Sequence, residues 1–421
     1  MTELEKKVKA LAKGKEWHDW HWHIANRISE YKQLKNLIKL LPEEEAIFKK
    51  KDFSFRVAIT PYYLSLIDEK NPFDPIRLQA IPRIDETHIA TTDMADPLNE
   101  DTDSPTPGLT HRYPDRTLLL VTDQCSMYCR HCTRRRVAGE HDAPMPDKSI
   151  NKAIEYIKKT PEIRDVIISG GDPLTLSDER LDAILEKLYA IDHVDIIRIG
   201  SRMPVVLPQR ITDGLIAVLK KYPPIWFNTH FNHSHEMTKE ARTALAKLSD
   251  NGIVLNNQSV LLRNVNDNVD VMKNLVHELV KNRVRPYYLY QCDLSTGIEH
   301  FRTPVSKGIQ IMESLRGHTS GLCQPFYVID APGGGGKIPV MPSYLISSAP
   351  EKVILRNYEG FITTYTEPHY IAEKKIKYVG TCQKERKSNE GITTLLEGEK
   401  LYIGPSDTKR LKRKAKNQKK K

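Results

Sequence analysis

The sequence predicts an α/β fold, a partial (β/α)6 barrel over residues 101–300 with a mainly helical region and linker before it over 1–100. A C-terminal α/β region over 301–405 and a basic tail over 406–421 follow. Three observations carry this. Apolar runs of strand length alternate with stretches of helical periodicity from Thr117 to Gln291, which implies a parallel sheet with crossover helices. The connections between them are short. The chemically conspicuous polar residues also fall where strands end, and a parallel barrel collects its ligand groups on that rim. Cys125 follows the first strand, Gly170, Gly171 and Asp172 the second, Ser201 and Arg202 the third, Asn228 and His230 the fourth, Gln258 the fifth and Asp293 the sixth. A doubly wound open sheet would share the alternation, and the rim pattern favours the barrel.

Taken in order, Trp17, Trp20, Ile24 and Ile28 recur at three- and four-residue intervals and predict a helix with one apolar face. His18, His21 and His23 lie among them, but only His18 and His21 share a face, so they read as packing or surface histidines. From Asp96 to Pro107 the chain is acidic and proline-rich, a linker or an extended crossing segment. Thr117 to Thr122 reads as the first buried strand. Strands are then predicted at Asp165 to Ser169, Asp195 to Gly200, Ile225 to Phe231, Ile253 to Asn257 and Arg285 to Gln291. Between them, sets such as Ile150, Ala153, Ile154 and Ile157, or Leu181, Ile184, Leu185 and Leu188, mark the helices. A further strand, Phe326 to Ile329, runs into Asp330 and four glycines, Gly333 to Gly336, that end at Lys337.

Charge and cysteine usage narrow the class. The net charge is +10, but nine cations and no acid lie between Lys409 and Lys421, so the rest of the chain is near neutral. Such a block reads as a solvated tail, with nonspecific contact to nucleic acid as its functional alternative. The N-terminus is charged from its third residue, and no apolar run has the length of a membrane span, so a cytoplasmic protein with no membrane partner is expected. Cys292, Cys323 and Cys382 are scattered singly, unlike a disulfide framework.

Two motifs carry chemistry. Cys125, Cys129 and Cys132, in CSMYCRHC, have the spacing CxxxCxxC with no fourth thiol nearby. A closed structural site wants four protein ligands, so three point to a cluster with one open iron; the bland alternative is three buried thiols. In GGGGK, backbone amides can approach a ligand closely, but Ile338 stands where a Walker loop needs Ser or Thr. Lys337 then reads either as a Schiff-base lysine or as part of a flexible surface loop.

Together, CSMYCRHC, SGGDP at Ser169 to Pro173 and DAPGGGGK at Asp330 to Lys337 resemble the lysine 2,3-aminomutase family, radical S-adenosylmethionine enzymes that also use pyridoxal phosphate. HRYPDR at His111 to Arg116 and YQCDLSTGIEHFRTP at Tyr290 to Pro304 match as well. The resemblance implies that Cys125, Cys129 and Cys132 hold a 4Fe-4S cluster whose fourth iron binds S-adenosylmethionine. It implies contacts to that molecule from Gly170, Gly171, Asp172, His131, Gln258 and His230. Lys337 becomes the catalytic lysine that carries pyridoxal phosphate, with Arg112, Tyr113 and Arg116 at its phosphate. Arg134 pairs with the substrate α-carboxylate, while Asp293 and Asp330 receive the ε-ammonium of lysine.

The implied reaction is isomerisation of L-lysine to L-β-lysine, with glutamate or arginine as alternative substrates. A nucleic-acid-associated protein acting through its tail is the alternative of a different class. An electron donor for the cluster and a homo-oligomer are the implied partners. Relatives carry C-terminal cysteines for a structural zinc, whereas Tyr365 to Lys387 has only Cys382, so no zinc is expected.

Overall fold

Seven strands pair in parallel and in strict chain order in the computed structural model, which describes residues 1–368 apart from 51, 52, 54 and 350. Cys382, most of the segment expected to lack zinc ligands and the basic tail lie outside the described residues. The parallel strands are β2 (Arg116–Leu120), β3 (Asp165–Ser169), β4 (Ile196–Gly200), β5 (Ile225–Thr229), β6 (Val254–Leu261), β7 (Arg285–Gln291) and β8 (Phe326–Ala331). The short strand β1 (Leu109–Thr110) precedes them antiparallel to β2, and β9 (Gly336–Pro339) folds back antiparallel on β8. A doubly wound sheet begins in its middle and reverses direction at a switch point. Here the order never reverses, so the sheet wraps one way, and among the described residues β1 and β9 do not pair with each other. The result is a partial barrel.

The strand expected from Phe326 to Ile329 joins this same sheet beside β7, delivered by the helix Val305–Leu315. Asp330 therefore emerges on the rim that carries Asp293. Beyond it, β10 (Leu345–Ser348), β11 (Lys352–Arg356) and β12 (Ile362–Thr366) form a separate antiparallel sheet.

Period-two burial decides which side of the wrap each residue faces. In β2, β3 and β4 the buried positions, such as Leu119, Val166, Ile168, Ile197 and Ile199, pack with apolar faces of the crossover helices in one core. Ile150, Ala153, Ile154 and Ile157 of Asp147–Lys158 and Leu181, Ile184, Leu185 and Leu188 of Asp178–Tyr189 supply two of those faces. Side chains of Ser177, Thr212, Thr238 and Asn268 cap four of the helices, each a contribution of about 1 kcal/mol. The alternate positions, Asp165, Ser169, Arg198 and Gly200 among them, line an open lumen. A closed eight-stranded barrel fills that space with branched side chains; here polar side chains such as Asp165, Ser169 and Arg198 line it.

The N-terminal region departs from the expected single helix. Asp19 accepts a hydrogen bond from the His21 backbone and starts a new helix, Trp20–Ala25, leaving Trp17 in a preceding 3-10 turn. Ile28 bridges to Ile59 in extended form. The apolar contact survives the break, since Trp17, Trp20 and Ile24 pack on the core and Ile28 is buried in it. His23 is buried with Nε2 on the Trp17 carbonyl, and His21 stays on the surface. Further along, Thr60 donates to the Val206 carbonyl at 2.6 Å, and a buried Arg77–Glu44 ion pair at 2.6 Å ties the short helices together. Among the described residues no helix is long and apolar enough to cross a membrane.

Candidate active site

The cysteine loop is anchored from below by the glycine loop after β3. Gly171 and Asp172 donate their backbone N–H groups to the carbonyls of Thr122 and Gln124, both at 2.7 Å. A Cβ on Gly171 would lie 2.2 Å from the Gln124 carbonyl oxygen, so only glycine lets the two loops close on each other. The Asp172 carboxylate, with its pKa raised to about 6 by burial, is engaged by the Ser201 hydroxyl and the Arg202 backbone N–H. What Asp172 visibly does is join the loop after β3 to the loop after β4.

Cys125, Cys129 and Cys132 line one cavity of about 250 Å3 together with Gly170, Gly171, Asp172, His131, His230 and Gln258. Among the described residues no group of three His, Cys, Asp or Glu side chains is arranged to hold a lone metal ion. An iron-sulfur cluster makes a different demand, because it carries its own sulfides and asks one thiolate for each of three separate irons. Burial pushes the Cys132 thiol up to about 11 and Cys125 well above its ordinary value, so these thiols lose their protons with metal binding and not before it. His131 Nδ1 and His230 Nε2 are buried in this cavity without a partner. Burial, followed by the charge of Arg202, holds His131 far below the usual imidazole range and His230 at about 3, so both rings are neutral. Two unsatisfied ring nitrogens beside three thiols fit a polar ligand seated next to a cluster.

A second cavity, of about 270 Å3, adjoins the first, and Arg134, Ser169, Gly200, Asn228 and Gln258 line both. Lys337 projects into it from β9, where it sits directly opposite Asp330 across the β8–β9 hairpin. Its Nζ lies 3.2 Å from both Asp330 oxygens and 5.2 Å from the centre of the Tyr290 ring. Gly333, Gly334 and Gly335 lie in the turn of that hairpin and Gly336 opens β9, which decides against a loose surface loop. Gly336 has φ of +89°, and its backbone passes close under Tyr113, whose hydroxyl accepts the Lys337 N–H at 2.9 Å. Arg116 stacks on the same ring at 3.9 Å, and Arg112, Tyr113 and Arg116 all face the cavity. Two guanidinium groups, a phenol and an amine fit a phosphorylated aldehyde.

The remaining expected residues have partners that the sequence did not reveal. Arg134 is clamped by the buried Glu100 through Nε and Nη2, at 2.8 to 3.2 Å. Arg112 pairs with the buried Asp103 at 3.0 Å and also donates to the Leu98 carbonyl. The acidic stretch from Asp96 is thus a crossing segment that holds two of the cavity's cations, Arg134 and Arg112. Asp293 accepts the Thr133 hydroxyl at 2.7 Å, directly after the last cysteine. Burial, and then the charge of Asp330, lift its pKa to about 7. Arg202, Gln79, Glu236 and Tyr63 form a buried network against Cys129. Only the position of Arg202 at a strand end hinted at this group.

Comparison with known proteins agrees with this geometry. The family model described as lysine-2,3-aminomutase matches residues 312–421, and that of the radical SAM superfamily matches residues 119–275. The chain is 59% identical over 404 residues to L-lysine 2,3-aminomutase of Clostridium subterminale, covering 94% of this chain and 95% of that one. It is 58% identical over 412 residues to the enzyme of the same name from Acetoanaerobium sticklandii, covering 97% and 99%. Glutamate 2,3-aminomutase of Clostridioides difficile is 45% identical over 383 residues, covering 90% of each. With the cysteine cavity, the lysine hairpin and full-length likeness in agreement, the chain belongs to the lysine 2,3-aminomutase family of the radical S-adenosylmethionine superfamily.

Proposed function

We propose that this chain isomerises L-lysine to L-β-lysine, moving the amino group from C2 to C3. When bound, the 4Fe-4S cluster with S-adenosylmethionine supplies hydrogen-atom abstraction, and pyridoxal phosphate supplies the carbonyl that carries the migrating nitrogen. The chain's own part is to hold, orient and keep water out. Cys125, Cys129 and Cys132 hold three irons. Gly170, Gly171, His131, His230 and Gln258 surround S-adenosylmethionine, with Asp172 keeping their loops together. Arg112, Tyr113 and Arg116 take the phosphate of pyridoxal phosphate, and Lys337 anchors its aldehyde. Arg134, aimed by Glu100, takes the substrate carboxylate, a bidentate task suited to guanidinium.

One observation carries the choice of lysine: Asp330 is neutralised by Lys337, with Asp293 close enough to feel its charge. Once the Lys337 amine is engaged by the cofactor, two enclosed carboxylates are left one cation short. A buried charge without a partner costs several kcal/mol, and the ε-ammonium of lysine restores the balance, which the carboxylate of glutamate would worsen. The test is anaerobic reconstitution with iron, sulfide, S-adenosylmethionine, pyridoxal phosphate and a reductant, followed by lysine, glutamate and arginine in parallel. β-Lysine is expected as the main product. Turnover of glutamate with none of lysine would overturn this reading of Asp293 and Asp330.

A pH dependence follows from the raised pKa of Asp293. Its carboxyl group is about half protonated near pH 7 in the ligand-free protein, and only the ionised form attracts an ammonium. Below that pH, kcat/KM for lysine should fall by up to about tenfold per unit, since this parameter reports groups of the free enzyme. Engagement of Lys337 removes a cation that lowers the Asp293 pKa, so cofactor loading should move the break upward. Asp293→Asn should lose this limb of the profile, and a variant that retained it would assign the limb to another group.

A further inference from the structure

We propose that Arg202 sets the redox poise of the cluster by donating a charged hydrogen bond to the sulfur of Cys129. The inference rests on the cluster reading of the three cysteines. Arg202 Nη1 lies 2.8 Å from Cys129 Sγ, and the side chain is 8% exposed. Its other nitrogens are all committed: Nη2 donates to Gln79 Oε1 at 2.6 Å and Glu236 Oε1 at 2.8 Å, and Nε donates to the His230 carbonyl at 3.2 Å. Glu236 is fully buried and committed in turn. Its Oε1 also accepts from the Tyr63 hydroxyl at 2.6 Å and from Gln79 Nε2 at 3.2 Å, and its Oε2 accepts the backbone N–H groups of Asn232 and His233. The guanidinium therefore cannot swing away, and Nη1 has the sulfur as its acceptor. Among the described residues, no other side chain donates to a sulfur of the three cysteines.

A staple between loops would need no charge aimed at sulfur. One-electron reduction of the cluster by an external donor makes and breaks no bond here, but it adds a negative charge next to Cys129. Hydrogen bonds to ligand sulfur and the local net charge are what set such potentials. A buried cation favours the reduced cluster with little screening by salt. Glu236, which stands behind Arg202 as seen from Cys129, acts in the opposite sense from further away. The arrangement assigns Arg202 to easing electron entry and Glu236 to limiting it, with Gln79 and Tyr63 as the frame.

The test compares wild type with Arg202→Gln, Arg202→Lys and Glu236→Gln, each reconstituted anaerobically without S-adenosylmethionine or substrate. The proteins are titrated with dithionite in the presence of mediators, and the reduced cluster is read by electron paramagnetic resonance. At the solution potential that half-reduces the wild-type cluster, Arg202→Gln should lower the reduced-to-oxidised ratio by at least about tenfold. Arg202→Lys keeps the charge but not the planar fork and should lower it less. Glu236→Gln, nearly isosteric and one negative charge poorer, should raise it. Unchanged ratios in Arg202→Gln and Glu236→Gln overturn the proposal, as does a shift of both in one direction, which marks general loosening. If Arg202→Gln does not retain iron and sulfide, Glu236→Gln decides alone: a raised ratio supports the proposal and an unchanged or lowered one overturns it. A wild-type protein that assembles no cluster would instead sink the cysteine reading itself.

Discussion

Replacing Lys337 by alanine is expected to abolish turnover, by at least roughly 10³-fold, while leaving the cluster intact. Lys337 stands opposite Asp330 in the β8–β9 hairpin, with its backbone N–H held by Tyr113 and its Nζ on the Asp330 oxygens at 3.2 Å. No neighbouring backbone position can present an amine at the same point, because a one-residue shift in a hairpin turns the side chain to the other face. Borohydride treatment of the wild-type protein loaded with pyridoxal phosphate should leave the cofactor's mass on the peptide that contains residue 337. The variant should show no such adduct, and its iron content and reducible cluster should match wild type. Full activity in the alanine variant would remove Lys337 from the chemistry.

The second large effect concerns the two acids. Asp293→Asn or Asp330→Asn alone is expected to raise KM for lysine by roughly 10²-fold, since breaking one half of an enclosed charge pair costs about 3 kcal/mol. The double variant should lose most of the preference for lysine over norleucine, its uncharged counterpart of similar length. The two single variants are also expected to differ. Asp330→Asn removes the carboxylate that faces Lys337, so retention of pyridoxal phosphate should change with it, whereas Asp293→Asn, at a carboxylate that accepts the Thr133 hydroxyl, should leave it unaltered. Steady-state kinetics with both substrates, and equilibrium dialysis of the cofactor, measure these outcomes. An unchanged KM for lysine in the double variant would place the ammonium elsewhere.

The residues most legible in the sequence are those whose chemistry is local. Three cysteines within eight residues, or a lysine after four glycines, declare themselves by spacing. The order of strands and helices was legible too, because apolar runs of strand length are separated by helices of one periodicity, but β6 runs to Leu261, four residues past its expected end, so Gln258 lies inside that strand and not after it. What stayed hidden is everything that tertiary packing delivers. Tyr63, Gln79, Glu100 and Asp103 come from segments with no spacing relation to the barrel, and Glu236 sits in a short 3-10 turn like many others. Each is ordinary until its partner is seen. Local chemistry also misled in one place: Asp19, unremarked in the apolar pattern from Trp17 to Ile28, caps a helix and breaks that pattern. At the first strand, β2 ends at Leu120, two residues before the apolar run does, because Thr122 leaves the sheet to bridge Pro144.

The clamps on Arg134, Arg112 and Lys337 by Glu100, Asp103 and Asp330 have a consequence for how such a site discriminates. Each of these cations already has a carboxylate at hand in the ligand-free protein, so a ligand enters a circuit that is open at one point only, the acids that Lys337 leaves when the cofactor engages it. It trades places in an existing circuit, or joins it. A molecule that carries a carboxylate at one end and an ammonium at the other, spaced to meet Arg134 and the two acids, leaves the circuit closed after every exchange. One that lacks either end opens it somewhere. Recognition of this kind yields modest affinity for the right molecule and a steep penalty for the wrong one, which suits an enzyme that must release a product with the same two charged ends.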